Sequence, residues 1–213
     1  MGQVFKAFSV AAMLTLISFS FGVSAAEWKE GEHYDVLKPG FRAGASDTIV
    51  VTEFFSYGCP HCFTFEPMLT AWSKTLPEGV ELQPSPVIFN ASMQLHAKAF
   101  YAAEVLGVVD TVHPALFKAI HVQRQRLASK DEIRGIFVAN GVDGEEFDNV
   151  IDSFGVSSQV RQSDARVRAS QISGTPSIVV NGKYRVSARK AGSQANMLKL
   201  ADHLIAMEQG QIE

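Results

Sequence analysis

Both cysteines of this 213-residue chain stand three positions apart, Cys59 and Cys62, where an apolar run, Phe54-Phe55-Ser56-Tyr57, breaks at Gly58 and restarts with Pro60. The run before the break, Thr48 to Phe55, is β-branched or aromatic on both alternating faces, as in a central strand covered by helices on both sides. Pro60 suits a first helical position, and Phe63, Met68, Leu69, Trp72 and Leu76 then recur at helical spacing as far as Pro77-Glu78-Gly79. A strand therefore hands the cysteine pair to a helix N-terminus. Glu53 is the anomaly in that strand: a carboxylate buried without a partner loses stability and rises in pKa, so it is paired, kept protonated or used, unless it lies near a strand end and reaches water.

Side chains at i and i+3 on a helix are neighbours, so Cys59 and Cys62 can pass between dithiol and disulfide with little backbone motion. As a staple the bridge would be poorly placed, because a four-residue loop restricts the unfolded chain by only about 2 kcal/mol against about 4.7 for a hundred-residue loop. The two sulfurs are also inequivalent. Cys59 meets free backbone N–H groups and the positive end of the helix dipole, which stabilise a thiolate, and His61 can add positive charge or a hydrogen bond to it. Cys62 lies a turn inward. A stabilised thiolate is a good leaving group, which predicts a disulfide that is readily given away.

Other uses of a Cys-x-x-Cys pair fit less well. Structural zinc needs four ligands, and the chain has no second cysteine pair and no close pair among its six histidines. Covalent haem needs a histidine after Cys62, where Phe63 stands. His96, His113, His121 and His203 read as surface or helix-face residues. No metal or cofactor is expected. The net charge of −3 provides no basic stripe for nucleic acid or an anionic membrane.

Lys6, the apolar stretch Val10 to Phe21 and the small residues Gly22-Val23-Ser24-Ala25 read as a secretory signal cleaved after residue 25, in preference to a membrane anchor. Export would place the pair where thiols can be oxidised. After the leader, Tyr34 to Leu37 suggests an edge strand turning at Lys38-Pro39-Gly40, and Val80 to Phe89 a strand whose Pro84 and Pro86 demand a bulge, a strand end or an unpaired edge. Helical stretches follow: Met93 to Leu106, Pro114 to about Gln125, one opened by the Ser129-Lys130-Asp131-Glu132 capping box and ending at Asn140-Gly141, one opened by Asp143, and Ser158 to about Ile172. Asn181-Gly182 between Ser177-Ile178-Val179-Val180 and Lys183-Tyr184-Arg185-Val186 is a strong hairpin signal, and Gln194 to Glu208 is a closing amphipathic helix.

Phe54-Phe55-Ser56 leading into Cys59-Pro60-His61-Cys62, then Gly174-Thr175-Pro176 and Val180-Asn181-Gly182-Lys183-Tyr184, resembles the DsbA family of periplasmic thiol:disulfide interchange proteins over essentially the whole chain after the leader. The resemblance implies an α/β, thioredoxin-like fold, a central mixed sheet flanked by helices, with an inserted all-helical domain. Its bounds would be 26–89 and 172–213 for the thioredoxin-like part and 90–171 for the insertion, after the leader 1–25. It implies a cis peptide bond at Thr175-Pro176 beside the disulfide, with backbone groups offered to an extended substrate peptide; read alone, Pro176 could be a trans proline opening a strand. It places Cys59, Cys62, His61, Pro60 and Glu53 in the catalytic site and Thr175 and Pro176 in substrate binding. It implies a monomer in the periplasm acting on reduced, unfolded exported proteins and reoxidised by a membrane, quinone-linked partner of the DsbB type.

Two departures from the family pattern stand out. A lysine expected near Glu53 is missing, since Val80 to Phe89 contains neither lysine nor arginine, so Glu53 is either neutral or paired elsewhere. Threonine before Pro176 looks more like the disulfide isomerases and reductases than like oxidases, which more often carry valine. A reductase or isomerase is thus the alternative within redox chemistry, though the familiar dimeric isomerases carry a dimerisation domain ahead of the fold. An exported peptide-binding chaperone with an inert disulfide is the alternative from another class.

Overall fold

Ile49–Phe55 is the strand that the aromatic and β-branched run requires, and it lies between two partners in a five-stranded mixed sheet. In chain order the strands are β1 (Asp35–Val36), β2 (Ile49–Phe55), β3 (Val80–Pro86), β4 (Ser177–Val180) and β5 (Tyr184–Ser187), arranged β1-β5-β4-β2-β3 in space. This computed structural model describes residues 1–2, 28–38, 40 and 48–212; the expected leader, apart from its first two residues, and Pro39 of the expected turn lie outside the described residues.

β3 runs parallel to β2 and the other pairings are antiparallel. The prolines of β3 are accommodated because it is an edge strand: Val87 N–H donates inward to Phe55 O at 2.8 Å, so Pro84 and Pro86, one step out of phase, turn their missing donors away from β2. The strand ends at Pro86, short of the expected Phe89. Asn181 and Gly182 both take left-handed backbone, φ 49° and 65°, at the β4–β5 turn, as a tight hairpin demands.

Helix α1 (Pro60–Ser73) runs unbroken through Pro67 and stops one turn earlier than Leu76 suggests. The helical block comprises α2 (Ala91–Val105), α3 (Val109–His121), α4 (Lys130–Ala139), α5 (Gly144–Ile151) and α6 (Phe154–Ala169). The capping box opens α4 as expected, with Ser129 accepting from Glu132 N–H and Glu132 accepting in return. Two bounds differ. α3 starts five residues before Pro114, because the N–H groups of Thr111 and Val112 already bond Val108 O, and an internal proline removes only one such bond. α6 starts at Phe154 instead of Ser158, because the Ser153 hydroxyl accepts from Val156 N–H and caps it there. The short α7 (Ala188–Ala191) was too brief to carry a periodic signal, and α8 (Gln194–Glu208) matches its expected span.

The two faces of β2 bury different chemistry. Phe54 joins Leu37, Val87, Val167, Ile172 and Val179 on one side. On the other, Val51 packs with Phe65 and Leu69 of α1 and with Leu204 of α8, whereas Phe55 packs into an aromatic cluster with Tyr57, Phe100 and Phe117 that extends through the helical block. Burying each such side chain stabilises the fold by about 1.5–3 kcal/mol. Glu53, by the period-2 alternation of the strand, lies on this second face, between the aliphatic cluster and the aromatic one.

Candidate active site

The register Phe54↔Ser177 sets the residues just before β4 opposite the turn that leaves β2, and so brings together two segments 116 positions apart. The Thr175-Pro176 peptide is cis. Cys59 Sγ lies 3.4 Å from Thr175 O, towards which the thiol form donates. Cys59 is itself the N-cap of α1, with extended backbone, and its sulfur accepts from Cys62 N–H at 3.4 Å; Pro60 occupies the first turn, where its lack of an N–H removes no helical bond. Both cysteines are thiols in this structure.

Their surroundings drive the two thiols apart. The Cys62 side chain donating to Cys59 is the largest influence on Cys59; burial opposes it, and the Thr175 side chain with the backbone N–H groups of Cys62 and His61 adds to it, bringing Cys59 down to about 5. The same contact pushes Cys62 far up, reinforced by complete burial. The dithiol therefore ionises at Cys59. His61 is exposed; what reaches Cys59 from this residue is its backbone N–H, while its carbonyl accepts from Gln194 Nε2 at 2.6 Å. Its side chain joins Gly174, Thr175, Pro176, Ser177 and Gln194 along an open cleft of about 730 Å³.

Glu53 does not reach water: it is 1% exposed, and neither carboxyl oxygen has a hydrogen-bond partner among the described residues. Burial above all, then the nearby charges of Glu66 and Cys59, push its pKa well above the usual carboxylate range. Of the two states left open for it, neutral or paired, the structure selects the neutral one. On β3 the residue that pairs with Glu53 is Pro84.

Two histidines read from the sequence as helix-face residues also lie here. His113, buried on α3, has Nδ1 2.7 Å from Tyr57 Oη and Nε2 3.3 Å from Glu66 Oε2. His121 places Nε2 2.7 Å from Tyr57 O and stacks on Phe63, ring centroids 4.9 Å apart at 13°. The missed signal was spacing: His113, Phe117 and His121 recur every four residues and form one stripe on α3 facing the cysteine turn.

Comparison with known proteins fits this geometry. Residues 50–204 match the family model of the DSBA-like thioredoxin domain. The thiol:disulfide interchange protein DsbA of Azotobacter vinelandii is 39% identical over 186 residues, 87% of each chain. The protein of the same name from Pseudomonas aeruginosa is 36% identical over 200 residues, 93% of this chain and 95% of its own. The crystal structure of Pseudomonas aeruginosa DsbA superposes with a TM-score of 0.83, covering 86% of this chain and 96% of that one. A Proteus mirablis DsbA variant, solved with a non-covalently bound peptide, is 34% identical with a TM-score of 0.70, over 83% of this chain and 96% of that one.

Proposed function

Because the chain belongs to the DsbA family of thiol:disulfide oxidoreductases, we propose that it works in the oxidising direction, donating the Cys59–Cys62 disulfide to reduced exported proteins. The observation that carries this reading is the low pKa of Cys59, about 5, at a helix N-terminus where its sulfur lies 3.4 Å from the carbonyl of Thr175, a residue that lines the cleft. A protein whose reduced form is stabilised as a thiolate gives its disulfide away.

A substrate thiolate attacks Cys59 Sγ; the S–S bond breaks and its electron pair passes to Cys62 Sγ, which takes a proton from Glu53. A second substrate thiolate then attacks the substrate sulfur of the mixed disulfide and releases Cys59 as the thiolate. The substrate loses two electrons and the protein gains them. Pro60 and His61 set the helix start, and Thr175 and Pro176, which line the cleft, bind the substrate backbone there. The chain acts as a monomer in the periplasm after loss of residues 1–25, and a DsbB-type membrane oxidase linked to quinone removes the two electrons. Residues 26–89 and 172–213 form the thioredoxin-like domain and 90–171 the inserted helical one.

Equilibration with glutathione, followed by oxidation of a reduced, unfolded multi-cysteine substrate, tests the direction. A strongly reducing potential defeats the oxidase reading, and an absence of exchange favours an inert disulfide. For Glu53, Glu53→Gln is expected to slow substrate oxidation on the order of a hundredfold at neutral pH and to alter Cys62 titration; unchanged rates and titration remove its role.

A further inference from the structure

The segment that delivers Cys59 is a β-turn over Ser56-Tyr57-Gly58-Cys59, closed by Cys59 N–H donating to Ser56 O at 3.0 Å. Gly58, its third residue, is not left-handed, so the turn is of type I; type II needs a positive φ there. The two types differ by a half-turn of the peptide between the second and third residues, here Tyr57–Gly58. Glycine takes either sign of φ at little cost, so residue 58 has no preference of its own between them. Something else must select the orientation.

Two hydrogen bonds hold that peptide, one at its amide and one at its carbonyl. Gly58 N–H donates to Ser56 Oγ, long at 3.3 Å, and Tyr57 O lies 2.7 Å from His121 Nε2. A carbonyl only accepts, so the ring proton sits on Nε2, and a neutral or a protonated imidazole presents it alike. Turning the peptide over would break both bonds. The side chain of Tyr57 cannot follow such a movement, because the residue is 1% exposed and its phenol is 2.7 Å from His113 Nδ1. Helix α3 thus grips Tyr57 at both ends, by His113 and, roughly two turns on, by His121. The His121 ring also stacks on Phe63, centroids 4.9 Å apart at 13°. Phe63 directly follows Cys62, so the redox pair lies between the two points that His121 holds.

We propose that His121 is a positioning residue for thiol exchange: its Nε2–H latches the Tyr57–Gly58 peptide in the type I orientation and so holds Cys59 at the cap of α1. This rests on the reading of Cys59 as the exchanging sulfur. The contacts preserved by the latch are directional, since Cys59 Sγ accepts from Cys62 N–H and faces Thr175 O, each at 3.4 Å, and both depend on where the turn sets Cys59. Without the latch the two orientations compete, and the apparent rate falls to the fraction of molecules that keep the type I form. A hydrogen bond of ordinary net strength moves such an equilibrium by about fivefold.

Relaxation-dispersion NMR of the backbone amides in the full reduced chain tests this, together with the rate at which the reduced protein reacts with oxidised glutathione. The natural sequence is expected to show no microsecond-to-millisecond exchange at Gly58. His121→Phe keeps a ring over Phe63 and deletes the donor; it should broaden the Gly58 and Cys59 amides and slow the reaction about fivefold. His121→Gln, which again offers an N–H, should recover most of both. The sharpest variant combines His121→Phe with Gly58→Ala. An alanine Cβ has room, its nearest neighbour being Ser56 Oγ at 3.8 Å, and alanine disfavours a positive φ, so the broadening should vanish and the rate return. A merely structural His121 gives no such rescue. Should His121→Phe fail to fold, His121→Met fills the same space and the same signals decide. Sharp Gly58 and Cys59 amides at an unaltered rate, or a slowed rate that Gly58→Ala does not restore, overturn the latch. Cys59→Ser tests the underlying reading separately: loss of the reaction keeps it whatever His121 does, and a reaction that persists removes both.

Discussion

Cys59 and Cys62 are one helical turn apart, yet their surroundings share almost nothing. Cys59 is half-buried among donors: the Cys62 thiol, the Thr175 side chain and the N–H groups at the start of α1. Cys62 is fully buried between a strand that carries a neutral acid and an aromatic cluster. One environment stabilises negative charge and the other excludes it. Their difference turns two chemically identical side chains into an attacking-and-leaving sulfur and a proton-holding one, and it depends on both segments that flank the pair.

The most drastic way to break the asymmetry is to remove either sulfur. Cys59→Ser should abolish thiol exchange altogether, whereas Cys62→Ser should still form mixed disulfides and be unable to release them, so that covalent adducts accumulate in mass spectra. The next test is pH. Cys59 ionises near about 5 in the folded dithiol against 9.0 ordinarily, so between these values the unfolded chain carries one more proton and stability rises with pH. The contribution is complete above 9.0 and lost as pH falls through about 5. Glu53 acts with the opposite sign, since its raised pKa means that stability falls as pH climbs past its ordinary 4.5. Glu53 is present in both redox forms, so the difference in denaturant stability, reduced minus oxidised, should show the Cys59 rise, and the stability of Cys59→Ser should lack that rise.

A finer test is Thr175→Val. It deletes a side-chain contact that lowers the Cys59 pKa, so the thiolate absorbance should titrate about one unit higher and the potential should become more reducing by about 30 mV. No change in the titration would mean that the Thr175 hydroxyl is a bystander. Smallest of all should be Ser129→Ala, in the capping box of α4 far from either sulfur: a loss of about 1 kcal/mol in denaturant unfolding, with the Cys59 titration in place. A shifted titration there would show that the helical block tunes the thiolate.

How much of this could be read in the chain varied by element. The strand at Thr48 to Phe55, the Asn181-Gly182 hairpin, the capping box at Ser129 and the closing helix each announce themselves through local periodicity or turn chemistry, and each stands where expected. The starts of α3 and α6 did not, because Pro114 marks a first turn more strongly than it breaks a later one and because Ser153 outcompetes Ser158 as a cap. Glu53 was legible as an anomaly but not as a neutral acid, since its state depends on Glu66 and on the absence of a cation, neither of which is a property of the strand.

By itself the sequence determined the identity of the redox pair, the helix start that favours a thiolate on the first sulfur, and the family, because these reside in contiguous residues with fixed local geometry. Only the tertiary structure decided what surrounds those sulfurs. Thr175 reaches Cys59 from 116 positions away through the β2–β4 register, and His113 meets Tyr57 and Glu66 only when α3 packs over the turn. Electrostatic energies depend on distance and burial, and both are set by which segments fold against one another.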